Sequence, residues 1–161
     1  MKIKNKKNGF TMLEAVIATS IVTIGIISLL IASQDAVLSV YFIRDRFTAA
    51  YLAKEGVEIV KNIRDQNWLR RQTWNAGLAP GTYEVQHNSM ALEVAHVPLR
   101  FLRIDPATGF YNYATGALTK FQREIILTNI SADHIRVQVN VRWRNGRDHN
   151  LLVEESLYNW R

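Results

Sequence analysis

The chain has no cysteine in its 161 residues and only three prolines, the first of which is Pro80. Without cysteine, a disulfide scaffold, a thiolate metal site and a cysteine nucleophile are excluded. Hydrophobic residues make up 48% of the chain and charged residues 21%, which are the proportions of a globular protein. These proportions exclude a disordered, collagen-like or low-complexity chain, and the length is that of one ordinary domain.

The excess of positive charge, formally +6, is concentrated at the N-terminus. Four of the 20 basic residues, Lys2, Lys4, Lys6 and Lys7, precede Gly9, and 14 acidic residues nearly balance the other 16. Without the first nine residues the net charge is only about +2. The charge therefore marks a short basic segment and argues against nucleic acid as a partner.

A long apolar run follows the basic segment. Residues 10–32 contain a single charged side chain, Glu14. As a helix this run is about 34 Å long, enough to cross a hydrocarbon core of about 30 Å. The lysines on its N-terminal side predict a single span with the N-terminus in the cytoplasm and the rest of the chain outside.

Three interpretations of this run compete. A secretory signal peptide has a shorter apolar core and a small-residue cleavage site, and it would not contain Glu14. A plain membrane anchor explains neither Glu14 nor the abrupt junction between Gly9 and Phe10. The third interpretation, a leader that is cleaved off, accounts for the length of the run, for Glu14 and for the junction between Gly9 and Phe10.

Residues 9–14 read GFTMLE. With the lysine-rich leader, this segment resembles the class III signal of type IV pilins and of the pseudopilins of type II secretion. The family motif is a glycine, a cleaved bond, then Phe-Thr-Leu-Leu-Glu and a long apolar helix. Met12 stands where the family has leucine, which is a volume-conserving exchange.

The resemblance implies that a prepilin peptidase removes residues 1–9 by cutting between Gly9 and Phe10, and that Phe10 is then N-methylated. It also implies that Glu14 serves assembly, because the family pairs this carboxylate with the N-terminal amine of a neighbouring subunit. The physical logic agrees, since a lone carboxylate in lipid requires a partner and cleavage creates a cationic amine. The alternative, that Glu14 only snorkels to the headgroups, leaves the motif unexplained.

The helix is expected to continue to about Asn67, because no proline interrupts it. Beyond Ala32 it turns amphipathic, with one apolar stripe at helical spacing. The stripe consists of Ala49, Leu52, Ala53, Gly56, Ile59, Val60 and Ile63. Gly56 on this stripe would let another backbone approach closely. The charged segment 44–46 between the two halves is expected to be a solvated collar, at the membrane interface or on a filament surface.

From Trp68 onward, alternating patterns and turn residues predict an antiparallel sheet of three or four strands in a meander, with one apolar face against the helical stripe. In residues 135–144, Val137, Val139, Val141 and Trp143 share one face. Asn145 to Asp148 form a strong hairpin signal. Strand patterns are found in residues 81–86, 121–127, 135–144 and 151–157, and residues 99–104 are a further candidate.

This combination is similar to the pilin α+β fold, a long N-terminal helix packed on a C-terminal antiparallel sheet. The arginine-rich valine strand, the hairpin and the terminal Leu-x-x-Trp also resemble the type IV pilus modification family, or minor pilin V group. They resemble the I-type minor pseudopilin of type II secretion as well. Residues 53–56, which read AKEG, are similar to the same group.

No catalytic or cofactor pattern is found, so no enzyme activity, cofactor or metal is expected. The histidines lack metal-ligand spacing, and no phosphate-binding loop or nucleophile elbow is present. Glu154 and Glu155 adjoin on a strand and face opposite ways. The best candidate DNA patch lies on one hairpin, but Trp143 is predicted to point away from its arginines, Arg136, Arg142, Arg144 and Arg147.

The sequence thus predicts a leader (1–9), a spine helix (10–67, with 10–32 in the membrane or filament core) and a globular head (68–161). The expected function is that of a minor pilin, incorporated in or priming a type IV pilus-like filament. The apolar run lacks the proline of many major pilins, which favours a minor pilin or a pseudopilin. Expected partners are prepilin peptidase, other pilins or pseudopilins, and the cytoplasmic membrane. The alternatives are a type II secretion pseudopilin and a membrane-anchored module that binds DNA or surfaces.

Overall fold

The computed structural model describes residues 11–160, and within them the chain forms one helix and seven strands. Helix α1 spans Met12–Leu69, which confirms the predicted uninterrupted helix. The strands are β1 (Gly81–Glu84), β2 (Glu93–Val94), β3 (Phe101–Ile104), β4 (Tyr111–Asn112), β5 (Ala117–Ser131), β6 (His134–Asn145) and β7 (Arg147–Tyr158). The chain divides into two compact units, one up to Ile43 and the other from Arg44 onward.

Hydrogen bonds between residues close in sequence define both ends of α1. At the start, the Thr11 hydroxyl accepts a hydrogen bond of 3.3 Å from the backbone N–H of Glu14, which makes Thr11 the N-cap. At the end, Arg71 takes a positive φ of 56°. The N–H of Gln72 donates to the Asn67 carbonyl at 2.8 Å and the N–H of Arg71 to the Trp68 carbonyl at 3.0 Å, which is a Schellman ending. An arginine thus fills the position where glycine is usual.

The described strands form one antiparallel sheet with the long strand β5 inside it. Strands β5, β6 and β7 form the predicted meander, and β6 and β7 pair over twelve residue pairs without a register shift. On its other side β5 pairs with β1 near Leu127 and with β3 near Ala117, while β2 extends β1 and β4 extends β3. The prediction of three or four strands was therefore too low. Strands β2 and β4 have two residues each, too few to show an alternating pattern.

The core of the second unit confirms the predicted faces. Every residue of the stripe on α1 is buried, and so are the four side chains predicted to share a face of β6. A Cβ added to Gly56 would lie 3.0 Å from Cγ1 of Val139. The close approach that Gly56 permits is thus made by a side chain of the sheet, and not by a second backbone as predicted.

The hairpin between β6 and β7 lies where it was predicted. Asn145 pairs with Arg147, and Gly146 between them has a φ of 69°. Glycine adopts this left-handed conformation without the steric cost of a Cβ atom, so Gly146 suits the tight reversal.

Candidate assembly site on the spine helix

Of the three predicted site residues, the structure describes Glu14, whereas Gly9 and Phe10 lie outside the described residues together with the predicted leader. Glu14 is exposed in the first turn of α1. Among residues 11–160 its carboxylate has no hydrogen-bond or ion-pair partner. A negative charge is favourable at this end of a helix, because the backbone N–H groups there give a partial positive charge.

The first unit carries hydroxyl side chains that are satisfied within the helix. Thr19 donates to the Ala15 carbonyl at 2.9 Å, Ser20 to Val16 at 2.7 Å, and Ser28 to Ile24 at 2.8 Å. In an apolar solvent every polar group must be satisfied internally, and these bonds do so. Among the described residues up to Ala32, Glu14 is the single charged side chain, so it is the group that still requires a partner.

The apolar side chains of the first unit have no partner within the described chain. No residue from 11 to 44 is buried, and exposed large side chains include Met12, Leu13, Ile21, Ile24 and Leu29. By length and composition, α1 is able to cross a membrane. An apolar surface of this extent marks an interaction with lipid or with other protein helices.

The second unit holds a charged contact that the sequence did not reveal. Asp45 is only 2% exposed, and its Oδ2 lies 2.5 Å from Nζ of Lys120 and 3.1 Å from Nδ2 of Asn145. The prediction of a solvated collar over residues 44–46 is therefore wrong for Asp45. A carboxylate buried with a lysine is compensated in charge, which is why it is tolerated there.

A buried arginine also joins α1 to the sheet. Arg123 is fully buried and donates to the carbonyls of Leu52 and Val85, at 2.8 and 2.7 Å, and to Glu55 at 3.0 Å. No signal in the sequence identified these partners of Arg123. Burial raises the pKa of nearby Tyr113, whose hydroxyl donates to the Arg123 carbonyl, to about 12.

A third charged network lies at β1. The fully buried Glu84 accepts hydrogen bonds from Nε and the backbone N–H of Arg100, at 2.7 and 2.9 Å, and its Oε2 lies 3.0 Å from Nδ1 of His96. Burial lowers the pKa of Arg100, but its bonds to Glu84 and Glu93 outweigh this and leave the pKa raised. The network ties the loop between β2 and β3 to β1 and was not predicted.

The arginines of the candidate DNA patch are largely neutralised by carboxylates. Arg136 pairs with Glu154 at 3.2 Å and Arg144 with Asp148 at 3.7 Å, and Arg142 pairs with Glu124. Trp143 is buried on the other face of β6, as predicted, where it stacks on His149. Three of the four arginines of this patch are therefore held by carboxylates.

The remaining ionisable candidates are also separate. Glu154 contacts Arg136, whereas Glu155 pairs with Lys61 of α1 at 3.4 Å, so the two carboxylates face opposite sides of β7. The histidines have unrelated neighbours: His87 lies near the Tyr111 carbonyl, and His134 near the Ser156 hydroxyl. In the part of the chain that the structure describes, no group of three or more potential ligands could hold a metal ion.

An exposed apolar helix that continues into the core of an antiparallel sheet defines a pilin-like α+β arrangement, and it fits a membrane-anchored protein. Comparison with protein families agrees: residues 4–30 match the prokaryotic N-terminal methylation motif. The chain therefore carries a class III signal of the type IV prepilin kind, which implies processing by a prepilin peptidase and assembly with other pilins. No curated protein and no solved structure matches the chain significantly.

Proposed function

We propose that this protein is a minor pilin, a structural subunit that is incorporated in, or primes assembly of, a type IV pilus-like filament. The observation that carries the proposal is the continuity of the methylation motif at residues 4–30 with α1. The same helix exposes its apolar first half and buries its second half against the sheet. In a subunit of this kind the apolar half of the helix packs against other subunits, and the folded head lies on the outside of the filament.

Processing creates the assembly site in this proposal. A prepilin peptidase removes residues 1–9, Phe10 becomes the N-methylated N-terminus, and Glu14 becomes the fifth residue of the mature chain. The Glu14 carboxylate, which has no partner among residues 11–160, then pairs with the Phe10 amine of a neighbouring subunit. An unpaired carboxylate is costly in lipid, so the pairing favours insertion of the helix into a filament core.

The division of the chain follows from the same proposal. Residues 10–32 span the cytoplasmic membrane and later line the filament core, the spine continues to residue 67, and residues 68–161 form the globular, β-rich head. The leader stays in the cytoplasm and the head lies outside. The protein acts by assembly and not by catalysis.

The pseudopilin of type II secretion shares all of these features and is the nearest alternative. Adjacent genes for other prepilins and an assembly ATPase would favour the pilus, and adjacent type II secretion genes the pseudopilus. A membrane-anchored DNA-binding module is the weaker alternative, because Arg136, Arg142 and Arg144 are paired with carboxylates.

Leader processing is the first test. Coexpression with a prepilin peptidase and an intact-mass measurement should show loss of residues 1–9 and one added methyl group on Phe10. Gly9→Val should block cleavage, because a branched side chain crowds the scissile bond, whereas Asn8→Ala is the matched control and should be cleaved. A mature N-terminus near Ser33 would identify an ordinary signal peptide and end the proposal.

A further inference from the structure

The C-terminal end of α1 and Trp160, the last described residue of the chain, border an open cleft of about 930 Å³. We call this site the tryptophan cleft, and all of its residues belong to the second unit. It is lined by Arg64, Asp65, Trp68, Leu69, Arg71 and Trp160. None of these residues takes part in the buried charged contacts between α1 and the sheet, so those contacts leave the cleft unexplained.

Two tryptophan rings and an arginine form one wall of the tryptophan cleft. Trp68 and Trp160 meet edge to face with their ring centroids 6.0 Å apart, and Cζ of Arg64 lies 4.7 Å from the centroid of the Trp68 ring. Arg64 is buried and pairs with Asp65 at 2.8 Å. Trp160 nevertheless stays 62% exposed and Leu69 84% exposed. Large apolar side chains that lie open to solvent beside an arginine are typical of protein-binding surfaces.

The rim of the tryptophan cleft has an excess of positive charge. Arg70 and Arg71 are both exposed, and among residues 11–160 neither has a carboxylate partner. Asp65, the acidic residue of the lining, is already paired with Arg64. The carbonyl end of a helix offsets only about half of one positive charge. A surplus of positive charge therefore remains at the cleft.

Arg71 occupies its position at a conformational cost. Its φ of 56° lies in the left-handed region, where glycine would close the same Schellman ending without a Cβ atom. Within residues 11–160 its guanidinium makes no hydrogen bond or ion pair that offsets this cost. Nε1 of Trp68, at the same cleft, is buried and also has no hydrogen-bond partner among these residues. Both groups are donors, so the missing partner is rich in acceptors.

We propose that the tryptophan cleft binds an acidic segment of another protein, with a carboxylate on Arg71 and an apolar side chain between Trp160 and Leu69. A carboxylate matches a guanidinium because it accepts two parallel hydrogen bonds. An apolar side chain matches the rest of the site because it removes exposed apolar surface from water. A sugar acid would satisfy the arginine but would place hydroxyl groups against Leu69, so a polypeptide fits better. The site uses no residue of the predicted assembly site, so the inference does not rest on the proposed function.

Nuclear magnetic resonance of the ¹⁵N-labelled full chain in detergent micelles tests the proposal. The chain has only 4 tryptophans, so their indole N–H signals can be assigned one by one. The probe is a short peptide in which leucine and phenylalanine stand between glutamates. It should shift the signals of Trp68 and Trp160 and leave those of Trp74 and Trp143, which are buried in the core, unchanged. The same peptide with lysine in place of glutamate should shift none of them.

Arg71→Gly separates binding from folding. Glycine removes the guanidinium and relieves the positive φ, so the affinity for the peptide should fall by about tenfold while the thermal unfolding midpoint stays the same or rises. Trp160→Ala should also weaken binding, because the apolar side chain of the peptide loses its contact. Arg147→Gln, at an exposed arginine of the hairpin between β6 and β7, is the matched control and should bind like the unaltered protein.

Signals of Trp68 and Trp160 that do not move at millimolar peptide would overturn the proposal, and so would an unchanged affinity of Arg71→Gly. Equal shifts with the lysine peptide would also overturn it, because charge would then play no part. Glucuronate is the sugar-acid probe, and shifts with glucuronate but not with the peptide would identify a carbohydrate site instead. If Arg71→Gly failed to fold, Arg71→Gln would carry the test. None of these measurements requires leader cleavage or a filament, so failure here is distinguishable from failure of the proposed function.

Discussion

Residues 12–43 and residues 44–69 belong to the same helix, α1, yet their side chains meet different surroundings. In the first part no residue is buried and the hydroxyls of Thr19, Ser20 and Ser28 bond to carbonyls of their own helix. In the second part eleven residues are buried, and long-range polar contacts such as Asp45 to Lys120 join the helix to the sheet. The side chains of residues 12–43 can pack against an apolar partner outside the described chain, whereas those of residues 44–69 pack against the sheet of the same chain.

The largest expected effect is the loss of stability caused by a charge on the buried face of residues 44–69. Ile59→Asp places an unpaired charge in the core, where Ile59 is only 4% exposed, and it should unfold the head because burying such a charge costs several kcal/mol. Glu58→Ala, at the exposed neighbouring position, should be nearly silent. Thermal denaturation of both variants checks this, and equal stability would mean that the helix face is misassigned.

The matching substitution in residues 12–43 is Glu14→Ala, which should impair assembly and leave the folding of the head intact. Cleavage should persist, because Gly9 and Phe10 are unchanged. Incorporation into filaments should fall by about tenfold or more, because the amine of Phe10 loses the carboxylate that compensates it in an apolar surrounding. Crosslinking of filaments measures the change, and incorporation at the level of the unaltered protein would contradict the pairing.

A glycine from each part gives a smaller contrast. Gly56→Leu should destabilise the head by about 1–3 kcal/mol, because the new side chain overlaps Val139 and Ile125. Gly25→Leu should leave the unfolding midpoint of the head unchanged, since an added Cβ there would meet nothing within 4 Å beyond its own stretch of helix. Chemical denaturation of the two variants compares them, and similar midpoints would show that the contact at Gly56 is loose.

The smallest expected effect concerns alkaline pH. Burial raises the pKa of Tyr113 to about 12, above the unfolded value of about 10. Tyr113 therefore contributes stability that is complete below pH 10 and is lost as the pH rises toward 12, because the unfolded chain ionises first. Tyr113→Phe should flatten the decline of stability in this range. An equally steep decline in the variant would assign the effect to other groups.

The sequence was informative wherever one face of an element is apolar over several turns or pairs. The helical stripe around Gly56 and the alternation in β6 were predicted because helix and strand periods differ. The contacts of Asp45, Glu84 and Arg123 were not, because their partners lie far along the chain; Asp45 and Lys120 are 75 residues apart. No local pattern distinguishes a buried charge from a solvated one until the fold brings its partner close.

The most direct test of the division along α1 is the behaviour of residues 36–161 without the apolar segment. This fragment keeps the whole second unit, which begins at Arg44. We expect a soluble, monomeric protein with one cooperative thermal transition and the circular dichroism of an α+β fold, because its core contains no residue of the removed part. A fragment that is unfolded, or that aggregates in the absence of detergent, would contradict the account.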